Sequence, residues 1–371
     1  MNIVIAMDSF KGSLSSLEAA DAVREGILRA HPEAAITTLP LADGGEGTVD
    51  ALIAGLGAER VYAEVSGPLG ESVNAVYGQK DDLAVMEMAA AAGLPLVPME
   101  KRDGISASTF GVGQMIAHAL RKGCRRFVMG IGGSATTDGG MGMLQALGFS
   151  FKNASGQEVG HGAKCLADAA SISADNVIPE LKESTFSIAC DVNNPLCGPR
   201  GTAFVYGPQK GLRDLERTDA DMASYARVCA SFTGKDMAEY PGAGAAGGLG
   251  FAFLTFLNAS LHSGVDIVLD TVNIDSALAG ADIAVTGEGR IDAQTAMGKA
   301  PGGVARRAKA HGCRVLAFSG SVTSDARAVN QQGIDAFFPI MRAPATLDEA
   351  LDKNNARNNL ADTAEQVFRL L

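Results

Sequence analysis

Six stretches of this sequence set carboxylates, basic side chains or hydroxyls among glycines. The first is Asp8-Ser9-Phe10-Lys11-Gly12-Ser13. Lys11 there either neutralises a phosphate or a substrate carboxylate, or is a solvated lysine in a turn that caps a helix. Asp43-Gly44-Gly45-Glu46-Gly47-Thr48 places two carboxylates in one loop. Such loops hold Mg²⁺ through one or two carboxylates plus waters, although a simple turn before a helix reads equally well. The run from Gly130 through Gly132-Gly133-Ser134-Ala135-Thr136-Thr137 to Gly140 carries the strongest local signal. Bare N–H groups, three hydroxyls and a following helix N-terminus make an anion cradle. Close packing of strand on helix also favours glycine, but the anion reading comes first. It is neither a Walker A sequence nor a Rossmann fingerprint.

Asp191 lies in Cys190-Asp191-Val192-Asn193-Asn194-Pro195. It is a candidate base or metal ligand, or the start of an Asx turn. Gly207-Pro208-Gln209-Lys210-Gly211 offers an exposed cation, or a solvated turn lysine. Gly287-Glu288-Gly289-Arg290-Ile291-Asp292, followed by Lys299, carries both charges. Glu288 and Asp292 could ligate Mg²⁺, and Arg290 could grip a carboxylate or phosphate with two bonds. A structural Arg–Asp pair is the plainer alternative. The five histidines show no metal-ligand or triad spacing, and surface or core roles suit them best. Together the stretches fit phosphoryl transfer, which needs electrostatic clamping and positioning more than covalent machinery.

The elements that would present these loops alternate. An apolar run at 3–7 predicts a strand, and Ser15 with Glu18 has the spacing of a capping box opening a helix. Strands are predicted at 35–41, 126–131, 282–286, 315–319 and 336–340. Helices are predicted at 49–56, from Ser134 to about 147, and from Pro301 to about 312. Alternating β and α segments argue for an α/β fold of mainly parallel sheets, whose ligands sit at the carboxyl ends of strands. The stretch 62–79 reads as a hairpin leaving the wound sheet, and 184–210 as strand-rich. Residues 241–250, rich in glycine, are either backbone packing or a second anion loop. At 371 residues, two domains are expected. The division is a discontinuous, doubly wound, mainly parallel-sheet domain (1–62 plus 265–371, Rossmann- or flavodoxin-like) and an inserted α/β domain (63–264).

Composition narrows the partners. A net charge of −11 argues against nucleic acid and anionic membrane surfaces. The six cysteines form no Cys-x-x-Cys pair and read as free thiols of a reducing cytoplasm. No stretch has the length or character of a membrane span or signal peptide.

In order and in residue identity, these blocks resemble the type-1 glycerate kinases from end to end. Cys190-Asp191-Val192 with Asn194-Pro195-Leu196, and Gln294-Thr295 through Lys299-Ala300-Pro301, belong to the match. Met7 departs from it, standing where relatives usually carry proline. The resemblance implies transfer of the γ-phosphoryl of ATP to D-glycerate with Mg²⁺, giving 2-phosphoglycerate. It also implies two α/β domains with the active site between them. The other regiochemistry, and a binding protein without turnover, are the rival readings. A homodimer is compatible with the sequence, which does not fix the assembly.

Within that expectation, Lys11 and Arg290 meet the glycerate carboxylate, with Asp8 and Ser9 beside it. Gly132, Gly133, Ser134, Thr136, Thr137 and Lys299 take nucleotide phosphates. Lys210 or Lys299 offsets charge developing on the transferred group. Asp191 accepts the hydroxyl proton or binds Mg²⁺. Asp43, Glu46, Glu288 and Asp292 are the other Mg²⁺ candidates.

Overall fold

A computed structural model describes residues 1–41, 52–53, 56–293, 295–297 and 299–371. Asp43 and Glu46, and most of the helix expected over 49–56, lie outside these residues. The chain divides into two compact units: Met1–Gly57 with Val265–Leu371, and Ala58–Gly264.

The first unit opens with β1 (Asn2–Met7), whose residues from Ile3 onward are all buried. Burial on both faces is the mark of a central strand in a parallel sheet. Helix α1 (Ser16–Ala30) follows, and the predicted capping box is formed: Ser15 Oγ accepts from Glu18 N–H, and the Glu18 carboxylate accepts from Ser15 N–H. β2 (Ala35–Pro40) pairs parallel with β1.

The second unit begins with β3 (Glu59–Ser66) and β4 (Ser72–Lys80), an antiparallel pair. This is the predicted hairpin, but it forms the edge of a six-stranded sheet instead of standing apart from it. Val61, Ala63 and Val65 alternate into the core, which fixes the strand's register and its place in the sheet. β5 (Leu83–Glu87) and β6 (Arg126–Gly130) are parallel, with α2 (Phe110–Arg121) between them in sequence. Helix α3 covers only Met141–Ala146, not the longer span expected from Ser134. Gly139 and Gly140 lie at positive φ, so the chain turns at this pair before helix can start. β7 (Ser150–Lys152) and β8 (Ser171–Ser173) make a small antiparallel ribbon. β9 (Thr185–Ala189) is the one strand in 184–210, and the remainder of that segment is turns and a short helix. β10 (Ala259–His262) completes the sheet order β10-β9-β6-β5-β4-β3, in which β5, β6, β9 and β10 are parallel. Gly244 and Gly250 in the glycine-rich run press onto the carbonyls of Pro195 and Gly242, so this run is backbone packing.

The chain returns to the first unit with β11 (Ile283–Ile291), α4 (Ala300–Ala310), β12 (Arg314–Val322), β13 (Ala336–Pro339) and α5 (Lys353–Phe368). The order is β13-β12-β11-β1-β2, parallel throughout. Ile3, Ile5 and Met7 pack with α1 and α5, while α4 contacts β11 and β12. The strand order reverses between β1 and β11, which makes that crevice the topological switch point of a doubly wound sheet. β11 runs five residues beyond the predicted strand, so Gly287–Ile291 is strand and not loop. Glycine here marks close approach: a Cβ on Gly287 would lie 2.0 Å from the Phe318 carbonyl oxygen.

Candidate active site

The switch point of the first unit gathers most of that unit's predicted residues. Met7 is paired with Gly287, so Asp8 and Glu288 follow one step beyond the same row. Asp8 N–H donates to the Gly287 carbonyl at 2.8 Å, and its own Oδ1 accepts from Ser9 N–H at 2.7 Å. Buried Phe10 and Leu14 anchor a tight turn, closed by Phe10 N–H to Leu14 O at 2.8 Å, with Lys11 exposed on it. Gly289 lies under this turn. A Cβ there would stand 3.4 Å from the Lys11 nitrogen and the Phe10 Cα, in contact with the turn. The Lys11 segment is therefore seated on β11.

Glu288 is 7% exposed. Its Oε1 accepts from Thr295 Oγ1 at 2.6 Å, and its Oε2 lies 3.5 Å from Lys299 Nζ. Burial pushes its carboxyl above the usual range. Asp292 pushes the same way, and Thr295 and Lys299 oppose. Arg290 is 64% exposed and reaches Asp292 at 3.6 Å, the plain Arg–Asp pairing. Lys299 occupies the N-cap position of α4 without a side-chain capping bond, ahead of Pro301 in the first turn.

In the second unit one row crosses the parallel strands at Glu87, Gly130, Ala189 and His262. Beyond it lie Gly132-Gly133 after β6 and Asp191 after β9. Gly132 and Gly133 are exposed, and a Cβ on Gly132 would meet nothing within 4 Å. Asp191 is exposed, and its Oδ1 accepts from Gly264 N–H at 3.0 Å.

Three expectations for this unit need correction. Lys210 is not an exposed cation but 2% exposed. Its ammonium donates to Ser134 Oγ at 2.7 Å and to the Thr136 carbonyl at 2.6 Å. Burial lowers its pKa to about 7, partly opposed by the charge of Asp138. Thr136 and Thr137 are not surface phosphate donors: both are fully buried, and among the described residues their hydroxyls have no partner. The N–H groups before α3 are not bare. Asp138 accepts from Thr109 N–H at 2.7 Å, Gly140 N–H at 3.1 Å and Gly142 N–H at 3.3 Å. Of the expected cradle, Gly132 and Gly133 are exposed, while Ser134 is 6% exposed with its hydroxyl against Lys210.

Asp138 is the residue that motif reading missed. It is fully buried, and burial raises its carboxyl while five donors on α2 and α3 or just before them hold its oxygens. Its signal lay in the Asp-Gly-Gly sequence, where a carboxylate precedes two glycines at a helix start.

The profile of the glycerate kinase family matches residues 3–371. The chain belongs to the glycerate kinase family. It is 46% identical to a glycerate kinase of Bacillus subtilis, over 99% of this chain and 97% of that one. It is also 46% identical to the glycerate 2-kinase of Escherichia coli, over 100% and 98%. The crystal structure of a putative glycerate kinase 2 from Salmonella typhimurium superposes with a TM-score of 0.89 at 43% identity, covering 99% of this chain and 97% of that one.

As a member of the glycerate kinase family the chain is an enzyme, a kinase with a mixed α/β fold. Among the described residues no group of three or more His, Cys, Asp or Glu could hold a metal ion. Two carboxylates suffice for Mg²⁺ when substrate phosphates complete its shell. Glu288 near the end of β11 and Asp292 just past it, whose charge bears on Glu288, offer two such carboxylates. No helix among the described residues is long and apolar enough to cross a membrane.

Proposed function

We propose that this kinase transfers the γ-phosphoryl of ATP to the 2-hydroxyl of D-glycerate, giving ADP and 2-phosphoglycerate. The observation that carries the reading is identity along the whole chain to a protein named glycerate 2-kinase. The strand-end chemistry supports it. The open Gly132-Gly133 turn with Ser134 suits the nucleotide phosphates. Exposed Lys11 and Arg290 suit the glycerate carboxylate, beside Asp8 and Ser9. Glu288 and Asp292 would hold Mg²⁺, which neutralises phosphate charge. Lys299, already 3.5 Å from Glu288, adds positive charge for the transferred group.

In the transfer the glycerate oxygen bonds to the γ-phosphorus as the bond to the β–γ bridging oxygen breaks, and ADP leaves with that electron pair. The hydroxyl proton goes to Asp191, which is held by the Gly264 N–H and open to solvent. Little covalent work falls to the protein. Placement and charge carry the rate.

The test is ADP release coupled to a reporter enzyme, with D-glycerate as acceptor, followed by phosphorus NMR of the product. Glycerate-dependent ADP release with 2-phosphoglycerate is the expected result. A product phosphorylated at the 3-position overturns the regiochemistry, and no glycerate-dependent release overturns the whole reading.

A further inference from the structure

Lys210 presents an unusual charge. Its ammonium lies beneath the turn after β6, bonded to Ser134 Oγ and the Thr136 carbonyl. Among the described residues no carboxylate lies within ion-pair distance of it. A buried cation without a paired anion is costly. Burial accordingly lowers its affinity for a proton, and Asp138 supplies only a longer-range field.

The donor arithmetic says more. In its charged form Lys210 has donors and no acceptor, so the charged lysine makes Ser134 Oγ the acceptor in the 2.7 Å contact. The Ser134 hydrogen is then turned away from Lys210. Among the described residues that hydrogen has no acceptor of its own. The neighbouring backbone cannot swing to find one, because the turn is pinned on both sides. Leu94 N–H donates to the Gly133 carbonyl at 2.8 Å, and Ala135 N–H donates to the Ala92 carbonyl at 2.9 Å. Next to Ser134 stand the exposed Gly132 and Gly133, with open space where a Gly132 Cβ would be.

We propose that Ser134 donates its hydroxyl hydrogen to a nucleotide phosphate oxygen at the Gly132-Gly133 turn, and that Lys210 aims and polarises this hydroxyl without touching the nucleotide. The inference rests on the reading that this turn takes the phosphates of ATP. It makes Lys210 a positioning residue and Ser134 the contact. The bound phosphate also supplies the counter-charge that the buried ammonium lacks. A hydroxyl that already accepts from an ammonium is a stronger donor than an isolated one.

The experiment is equilibrium binding of ADP to the full chain by calorimetry, without glycerate, for S134A, S134T, K210M and S134A/K210M. S134A should weaken ADP binding about 10- to 100-fold, the range of a hydrogen bond to a charged group. S134T keeps the hydroxyl and should bind close to the unsubstituted chain. K210M should also weaken binding, and the double variant should bind no more weakly than S134A, because both changes remove one contact. Unchanged ADP affinity in S134A overturns the proposal, as do losses that simply add in the double variant. S134A is a small change and keeps the test alive should K210M not fold. Glycerate-dependent ADP release is measured in parallel. Turnover that persists while S134A binds ADP normally sinks this inference alone. ADP binding through Ser134 without turnover on glycerate sinks the proposed reaction and leaves the inference standing.

Discussion

Replacing Lys210 by methionine should flatten the dependence of stability on alkaline pH. In the native protein this lysine titrates at about 7, against 10.5 for the free side chain. Between those values the unfolded chain binds a proton that the folded chain does not. Stability therefore rises with pH across the window, by about 1.4 kcal/mol per unit. The contribution is fully present above 10.5 and is lost as pH falls through about 7. Between pH 7 and pH 9 it amounts to about 2 kcal/mol, allowing for half-titration at the lower end. K210M lacks the titrating group. It leaves the Thr136 carbonyl without its donor, which costs about 1–3 kcal/mol at every pH. That cost shifts the whole curve and does not tilt it. The assay is urea denaturation at several values between pH 7 and pH 9. The sequence contains no tryptophan, and its five tyrosines, Tyr62, Tyr77, Tyr206, Tyr225 and Tyr240, all lie in the second unit. Tyrosine fluorescence therefore follows the unit that holds Lys210. Cysteines and tyrosines titrate alike in both proteins and cancel in the difference. Parallel curves for the two proteins would refute a desolvated Lys210.

Three further outcomes are expected. Asp138→Ala leaves the Thr109, Gly140 and Gly142 amides without an acceptor. It should cost about 4 kcal/mol, or about 8–16 °C in the melting of the second unit followed by tyrosine signal. Lys11→Ala should lower kcat/KM for glycerate about a hundredfold or more in the coupled assay, as loss of a charge-assisted contact predicts. Activity near that of the unsubstituted chain removes Lys11 from the mechanism. Asp191→Asn should abolish turnover while glycerate binding, read by calorimetry, is retained. Unchanged turnover discards the base role.

Local grammar was readable wherever the determinant is local. Ser15 and Glu18 announce their helix three residues apart, and each predicted strand of the first unit exists, although β11 and β12 run on past their predicted ends. The reading failed where distant groups decide. Lys210 sits in Gly-Pro-Gln-Lys-Gly, a solvent-facing turn by composition. Its acceptors lie 74 and 76 residues earlier in the chain, and only folding brings them together. Gly287 and Gly289 look like loop residues, yet both are strand positions, and Gly287 lacks a side chain where the Phe318 carbonyl approaches. The family blocks pointed to strand ends in each unit. They could not tell which polar groups stay exposed and which, like Asp138 and Thr136, are buried inside the protein.

The pairing of Ile3 with Ile283 has a consequence for biosynthesis. β1 leaves the ribosome ahead of the second unit, and its partner β11 emerges only after that whole unit has been made. At about 5–20 residues per second that interval lasts roughly 14–56 s. Through it β1 offers an apolar, unpaired edge, the kind of surface that recruits foreign strands. The second unit is contiguous in the chain, and every strand of its large sheet is available before β11 appears. A nascent chain stalled after residue 264 has emerged and before residue 283 has would thus expose the first unit's half-built sheet to chaperones while its insert is already complete.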